Sequence, residues 1–252
     1  MAMQFSICLM KIKKIDIVIL SRGRAGKVKT LALFPHATLY VREIEVPDYS
    51  KVYPDNKIVA VDNSFGFVEK VNKIISDYRD KPLYLCYDDL NAMVFTSSKA
   101  YTPYPLTNTD EIYSTLIETA NLCHDAGFSQ FSYYTGQRFE SLNVIKYQPF
   151  GIDGSLKGGG IGIIGNSLLL DPEMKYCCDL DHALRSYIEF GGIFHDRRFK
   201  LQESTVGSNN ASGYTMANDE RLRYYRKLKE RWGHHVRIVN KGAGLPTVSF
   251  VK

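Results

Sequence analysis

The chain has 252 residues, 44% of them hydrophobic and 23% charged, with a formal net charge of +5. A chain of this length buries a sizeable core, and the composition excludes a disordered or fibrous protein. No apolar run approaches the roughly 18 residues of a membrane span and the first residues lack the basic region of a signal peptide, so no membrane is expected and the cytoplasm is the expected compartment.

The five cysteines, Cys8, Cys86, Cys123, Cys177 and Cys178, are odd in number and show no CxxC or Cys/His metal spacing. A reducing compartment fits them. Basic residues cluster at Lys11/Lys13/Lys14, at Arg22/Arg24/Lys27/Lys29, at Arg197/Arg198/Lys200 and over 221–231. Such clusters suit phosphate contact, and a nucleotide would use only one of them.

Ile15–Leu20 is a β-branched run that predicts a strand, ended by Ser21-Arg22-Gly23-Arg24-Ala25-Gly26. The glycines of this turn allow close backbone approach, and its hydroxyl and guanidinia suit phosphates. It is neither a Walker A loop nor GxGxxG. Lys27–Phe34 predicts a short helix stopped by Pro35, Ala37–Val41 a second strand followed by Arg42-Glu43, and the Pro/Tyr-rich stretch to Asp55 a loop. Lys57–Val61 predicts a third strand ending at Asp62-Asn63. Phe67, Val71, Ile74, Ile75 and Tyr78 then fall on one helical face.

Leu83-Tyr84-Leu85-Cys86-Tyr87 predicts a buried strand running straight into Asp88-Asp89. Carboxylates at the C-terminal end of such a strand sit where open α/β sheets bind ligands. Hard cations such as Mg²⁺ or Mn²⁺ often take one or two carboxylates plus substrate phosphates, so Asp88-Asp89 reads as a metal and diphosphate site or, alternatively, as two solvated loop acids. Four strand–helix alternations imply a largely parallel sheet covered by helices.

Beyond Asp89 the pattern changes. Thr96–Thr109 predicts a loop, Asp110–Ala126 an amphipathic helix closed by Gly127, and Phe128–Arg138 a strand plus loop. The glycine-rich 147–162 stretch predicts a loop, and Ile161–Leu170 a strand. Cys178-Asp179-Leu180-Asp181 opens a helix running to about Phe190, and Ile193–Leu201 predicts a strand. Ser204–Gly213 predicts a polar loop, Asn218–Arg231 a charged helix and Val236–Val239 a short strand. Asp179 and Asp181 fit helix N-terminal acids favoured by the macrodipole as well as they fit chemistry.

Taken together, these features resemble the GT-A class of nucleotide-sugar glycosyltransferases: Leu85–Asp89 looks like its Asp-x-Asp-type motif, Cys178–Asp181 with Leu184-Arg185 like its acceptor-side acidic motif, and Ser21–Arg24 like its nucleotide turn. The Asn209 loop and the 221–232 helix look like the tail of a narrower group, the TET-associated glycosyltransferases that modify hydroxymethylated pyrimidines in phage DNA. The resemblance covers about Ile15 to Val239. It implies an α/β fold with a GT-A-like Rossmann-type mixed sheet flanked by helices in a single domain, with a nucleotide-sugar-binding half over about 15–90 and an acceptor half over about 91–252.

The resemblance also implies Mn²⁺ or Mg²⁺ and a nucleotide sugar, with a UDP-sugar as first choice, as co-substrate, and DNA carrying a hydroxymethylated pyrimidine as the favoured acceptor. Asp88 and Asp89 would hold the metal, because Tyr87 stands where many relatives carry an acid; a histidine would complete the shell, with His195, His234 and His235 as candidates and His195 the one chosen. Ser21, Arg22, Arg24, Lys27 and Asp88 would bind the diphosphate, with Glu43 and Asp62 near the base or ribose. Cys178 stands where an acid often precedes the base, which leaves Asp179 as general base for a single inverting displacement; a nucleophilic Asp179 would give retention instead. The same chemistry on a glycan or small molecule, a nucleotidyltransferase and a noncatalytic DNA-binding protein are the competing readings.

Overall fold

The computed structural model describes residues 11–96, 104–135, 149–153, 159–165, 167–203, 218–240 and 246–250. Four parallel-fed strands, β1 (Asp16–Leu20), β2 (Thr38–Arg42), β3 (Ile58–Val61) and β4 (Leu83–Tyr87), form one side of a mixed sheet. The other side is built from β5 (Leu90–Phe95), β6 (Tyr104–Leu106), β7 (Gln130–Thr135), β8 (Phe150–Asp153), β9 (Gly160–Ile163) and β10 (Ile193–Glu203). The order is β3-β2-β1-β4-β9-β7-β10-β5-β6, with β8 also paired to β10. The helices are α1 (Val46–Val52), α2 (Phe67–Asp77), α3 (Thr109–Asp125), α4 (Cys178–Phe190) and α5 (Asn218–Trp232), and a hairpin of β11 (Val236–Asn240) and β12 (Pro246–Phe250) follows α5.

The expected parallel sheet holds for β1 to β4 only. Beyond them β9 runs antiparallel to both β4 and β7, and β5 antiparallel to β10. The strand β5 follows β4 after only Asp88 and Asp89, a connection too short for a helical crossover. It pairs antiparallel with β10 and β6, on the far side of the sheet.

Strand alternation divides the core. Ile15 and Ile19 pack into one cluster with Ile112, Leu116 and Ala120 of α3, while Val18 and Leu20 face the other side against Val68, Val71, Ile74 and Ile75 of α2. The middle of the predicted face of α2 is thus buried, while Tyr78, just past the helix, is half-buried and Phe67 is 42% exposed and turns toward the end of the sheet. A third cluster, Met174, Cys177, Leu228 and Val236, seats α5 beside α4.

Several elements differ from the sequence reading: β5 is unexpected, β6 lies inside the loop expected over Thr96–Thr109, β8 lies inside the glycine-rich loop, and the strand expected over Ile161–Leu170 ends at Ile163. The helix expected over Lys27–Phe34 is a single 3₁₀ turn, Lys29–Ala32. The loop expected before Asp55 contains α1, whose Pro47 sits in the first turn, where its missing N–H costs nothing. Part of the glycine-rich stretch is the strand β9, where a Cβ on Gly162 would collide with the Phe131 ring on β7. Glycine there serves close strand-face packing. The Asn209 loop, and with it Ser204–Gly213, lies outside the described residues. Among the described residues no helix is long and apolar enough to cross a membrane.

Candidate active site

The in-register pairing of Leu20 with Tyr87 brings the ends of β1 and β4 together, so Ser21 and Asp88 emerge side by side. Ser21 Oγ donates to Asp88 Oδ2 at 2.6 Å, and Arg24 Nη1 donates to Asp88 Oδ1 at 2.6 Å. The Asp88-Asp89 turn is splinted from behind: Thr30 Oγ1 donates to the Tyr87 carbonyl at 2.6 Å and accepts from Leu90 N at 2.9 Å, while Lys29 N donates to the Asp88 carbonyl.

The unexpected helix α1 shapes the turn in front. Tyr49 Oη lies 2.6 Å from Ser21 Oγ and accepts from Arg24 N. Buried Glu45, just before α1, accepts from Gly23 N at 2.6 Å, where Gly23 has a φ of +66° that favours glycine. Burial raises the Glu45 carboxyl, but Arg42 and the Gly23 and Arg42 amides outweigh it and hold the group below its usual range.

An open cleft of about 620 Å³ lies above these strand ends. Ser21, Arg22 and Arg24 line it from β1, Tyr87, Asp88 and Asp89 from β4, and Phe65, Gly66, Phe67 and Lys70 from the start of α2. Lys175, Tyr176, Cys178 and Asp179 close it from the start of α4, and Glu203 from the end of β10. Six expected residues are therefore brought together: Ser21, Arg22, Arg24, Asp88, Asp89 and Asp179.

The two aspartates differ in their freedom. Burial pushes the Asp88 carboxyl up, opposed by its bonds to Ser21 and Arg24, and both its oxygens already have protein partners. Asp89 keeps a 28% exposed side chain, with Arg24 no nearer than 4.0 Å. Beside Asp89, on the neighbouring strand where Glu203 pairs with Leu90, burial and then the Asp89 charge raise the Glu203 carboxyl. Oxygen ligands from Asp89 and Glu203 suit a hard divalent cation. No group of three or more His, Cys, Asp or Glu among the described residues is placed to hold a metal, so a cation here would draw its remaining ligands from phosphate and water.

Asp179, the second residue of α4, opens onto the cleft but is crowded by protein behind. Burial raises its carboxyl, opposed by the backbone N–H groups of Leu180 and of Asp179 itself at the helix start. Asp181 is different: it is fully buried and accepts from Arg185 Nε (2.8 Å), Trp232 Nε1 (2.9 Å) and Arg231 Nη1 (3.2 Å). It fastens α4 to α5.

Four expected residues stand elsewhere. His195 lies on β10 eight positions before Glu203, roughly 25 Å along the strand at its ordinary rise. It is buried, with Nδ1 2.9 Å from Ser132 Oγ, so it belongs to the interior and not to the cleft. Asp62 closes its own turn, accepting from Ser64 N and Ser64 Oγ, and those bonds lower its carboxyl. Glu43 occupies an exposed 3₁₀ turn, with Glu45 taking the inward position, and Lys27 projects outward while its N–H closes the turn onto Arg24 O.

Two cleft residues escape sequence reading. Lys70 is 5% exposed, and no carboxylate forms an ion pair with it among the described residues. Burial lowers its ammonium, with the Arg22 and Arg42 charges adding to that and Glu45 opposing it. Its position on the buried stripe of α2 would have suggested an apolar residue, and that mismatch is the one signal available. Glu203 reaches the cleft only because β10 is eleven residues long, two more than the expected strand.

No protein-family model matches the chain, and no curated protein matches it by sequence. Solved structures do match. A mannosyltransferase from Pyrobaculum calidifontis, determined with GDP-Man and Mn²⁺, superposes over 86% of this chain with a TM-score of 0.52 at 9% identity. The chain spans 64% of the length of that protein. A mycobacterial protein superposes over 94% of this chain and 83% of its own, with a TM-score of 0.51 at 10% identity. At such identities the likeness establishes the fold, a GT-A-like Rossmann-type mixed sheet flanked by helices.

Proposed function

We propose that this chain transfers a sugar from a nucleotide sugar to a hydroxyl acceptor with the help of a divalent cation. The observation that carries this reading is the convergence, on one cleft at the C-terminal ends of β1 and β4, of a partly exposed Asp89, a neighbouring Glu203, a separate Asp179 and the cations Arg22, Arg24 and Lys70. The Mn²⁺ and GDP-Man of the mannosyltransferase that shares the fold agree with it. The donor would be a nucleotide sugar, with UDP-sugars as the first choice.

A cation held by Asp89 and Glu203 would offset the charge that grows on the leaving diphosphate. Lys70 and Arg22 add positive charge to the same end of the cleft, and Arg24, fixed by Asp88, presents its guanidinium at a set position. Asp179 takes the proton from the acceptor hydroxyl as that oxygen bonds to the anomeric carbon. The bond to the diphosphate breaks with its electron pair leaving on the diphosphate, so the anomeric centre inverts. A raised carboxyl is a stronger base than an ordinary aspartate, which suits Asp179 to an acceptor of high pKa.

A finer reading places the hydroxyl on a hydroxymethylated pyrimidine of DNA. What supports it is α5, clasped to α4 beside Asp179 and carrying Arg223, Arg226 and Lys229 exposed to solvent. A row of exposed cations next to the acceptor side suits a phosphate backbone.

The test is mass spectrometry of a hydroxymethylcytosine duplex and of its unmodified twin, each incubated with the protein, Mn²⁺ and a panel of nucleotide sugars, with free nucleoside diphosphate measured alongside. A sugar-sized gain on the hydroxymethylated duplex alone supports both readings. Diphosphate release without a gain keeps the transferase and removes the DNA acceptor. Pyrophosphate release in its place would make the chain a nucleotidyltransferase.

A further inference from the structure

Behind the cleft, between α2, α4 and the sheet, runs a second and narrower space of about 90 Å³. Its walls are apolar, with Val71 and Ile75 from α2, Leu85 from β4, Ile161 and Ile163 from β9, and Leu170. It shares Phe67, Tyr87 and Asp179 with the open cleft, so the two spaces meet at the carboxyl assigned above as the base. The Phe67 and Tyr87 rings, 6.0 Å apart, stand at that junction.

His182 also lines this slot, one turn along α4 from Asp179 and on the same side of the helix. It is 1% exposed and its orientation is fixed. Gln130 Nε2 donates to Ser167 Oγ at 3.3 Å, which leaves Gln130 Oε1 to accept from Ser186 Oγ at 3.3 Å and from His182 Nε2 at 3.2 Å. The proton therefore sits on Nε2, and Nδ1 is a lone-pair acceptor. Nδ1 is buried and has no hydrogen-bond partner among the described residues. Burial lowers the ring to about 4, so it remains neutral and keeps that lone pair at physiological pH. A buried acceptor without a donor is costly in a finished core and is expected where a ligand supplies the donor.

We propose that this slot anchors the acceptor substrate: it takes a short apolar arm ending in one hydrogen-bond donor, which meets His182 Nδ1, while the hydroxyl at the other end of the arm rests against Asp179. The size fixes the class. A cavity of about 150 Å³ accommodates benzene, so 90 Å³ suits an aliphatic chain of about four carbons and not an aromatic ring. The acceptor is then a small alcohol with a second donor group, which makes this the rival of the DNA acceptor described above, and a sugar-sized gain on the hydroxymethylated duplex would count against it. This inference rests on the transferase reading for the role of Asp179, and on the slot alone for binding.

The experiment compares 1,4-butanediol with 1-pentanol, which have the same number of heavy atoms and differ in one terminal hydroxyl. Binding to the full chain is followed by saturation-transfer NMR, and UDP binding with Mn²⁺ is measured on the same samples. The parent is expected to bind the diol roughly tenfold more tightly than pentanol, the worth of one hydrogen bond. His182→Phe, which keeps an apolar ring and removes the lone pair, should reverse that order. Ile161→Phe, which fills the slot from β9, should abolish both without loss of UDP binding. Equal binding of the two alcohols by the parent, or binding that survives Ile161→Phe, overturns the proposal, and the filled variant decides the matter if His182→Phe does not fold. Loss of UDP binding in the parent with the diol preference intact would instead sink the donor reading and leave the slot standing.

Discussion

Arg24 and Asp88 form a 2.6 Å ion pair at the mouth of the cleft, with the Asp88 carboxylate engaged on its other oxygen by Ser21. The pair occupies the first acid of the motif that sequence alone reads as metal-binding. It leaves Asp89 as the residue whose oxygens remain available, and it separates two roles that adjacent aspartates in a sequence do not reveal.

Asp89→Asn should therefore weaken Mn²⁺ binding at least tenfold with little change in stability. Asp88→Asn should retain most Mn²⁺ binding, and because burial outweighs Ser21 and Arg24 and raises the Asp88 carboxyl, removing its charge should leave stability at neutral pH no lower than the parent's. Calorimetric titration with Mn²⁺ and thermal denaturation of both variants check this pair, and a larger Mn²⁺ defect in the Asp88 variant would refute the assignment.

Asp179→Asn should reduce turnover by roughly 10²–10⁴-fold while UDP binding persists. Because burial raises this carboxyl, the acid limb of the parent's pH–rate profile should lie above the ordinary aspartate value. The sign for stability is the reverse of that for a paired carboxylate. With the folded pKa above the unfolded one, stability is greatest below the unfolded value and is lost as pH rises through the folded value. At neutral pH the Asn variant should melt no lower than the parent, so an inactive protein of undiminished stability is the expected result.

Lys70→Met should raise the Michaelis constant for the nucleotide sugar by about tenfold or more, because it removes a cation from the diphosphate end of the cleft. It should also raise the melting temperature. The depressed folded pKa of Lys70 means that folding is opposed while the ammonium is charged, and the parent gains stability as pH rises toward the unfolded lysine value. A variant with an unchanged Michaelis constant would remove Lys70 from the donor site.

Asp181→Ala should cost about 3 kcal/mol, since it strips the counter-charge from Arg185, one of the carboxylate partners of Arg231 and a hydrogen bond from Trp232 at a fully buried position. For a chain of this size that is a fall of roughly 6–12 °C in melting temperature. Trp232→Phe should lose about half as much. Both should retain Mn²⁺ and UDP binding, which circular dichroism melts and calorimetry would establish.

The strands β1 and β4 were legible because continuous β-branched and aromatic runs bounded by turn residues have few other solutions. Their ends were legible too, and Ser21, Arg22, Arg24, Asp88 and Asp89 there line one cleft, which Asp179 joins from the start of α4. What was not legible depends on tertiary placement. The helix α1 hides in a Pro- and Tyr-rich stretch, although Tyr49 and the preceding Glu45 shape the turn after β1. The strand β5 begins immediately after the Asp88-Asp89 turn, where a strand continuing β4 was not expected. Glu203 reaches the cleft through the length of β10, while His195, on the same strand, faces the interior. Histidine in a sequence reads as a ligand or as a core residue with equal ease, and only the fold separates the two.

The clasp around Asp181 bears on anyone who would transplant this site. Within Cys178–Asp181 one aspartate opens onto the cleft and the other is masonry, mortared to a tryptophan and an arginine some fifty residues later in the chain. Grafting the four-residue segment onto another scaffold would import a buried charge without its keepers, and the recipient helix would have no reason to hold Asp179 where it stands here. The portable unit is the whole of α4 together with Arg231 and Trp232.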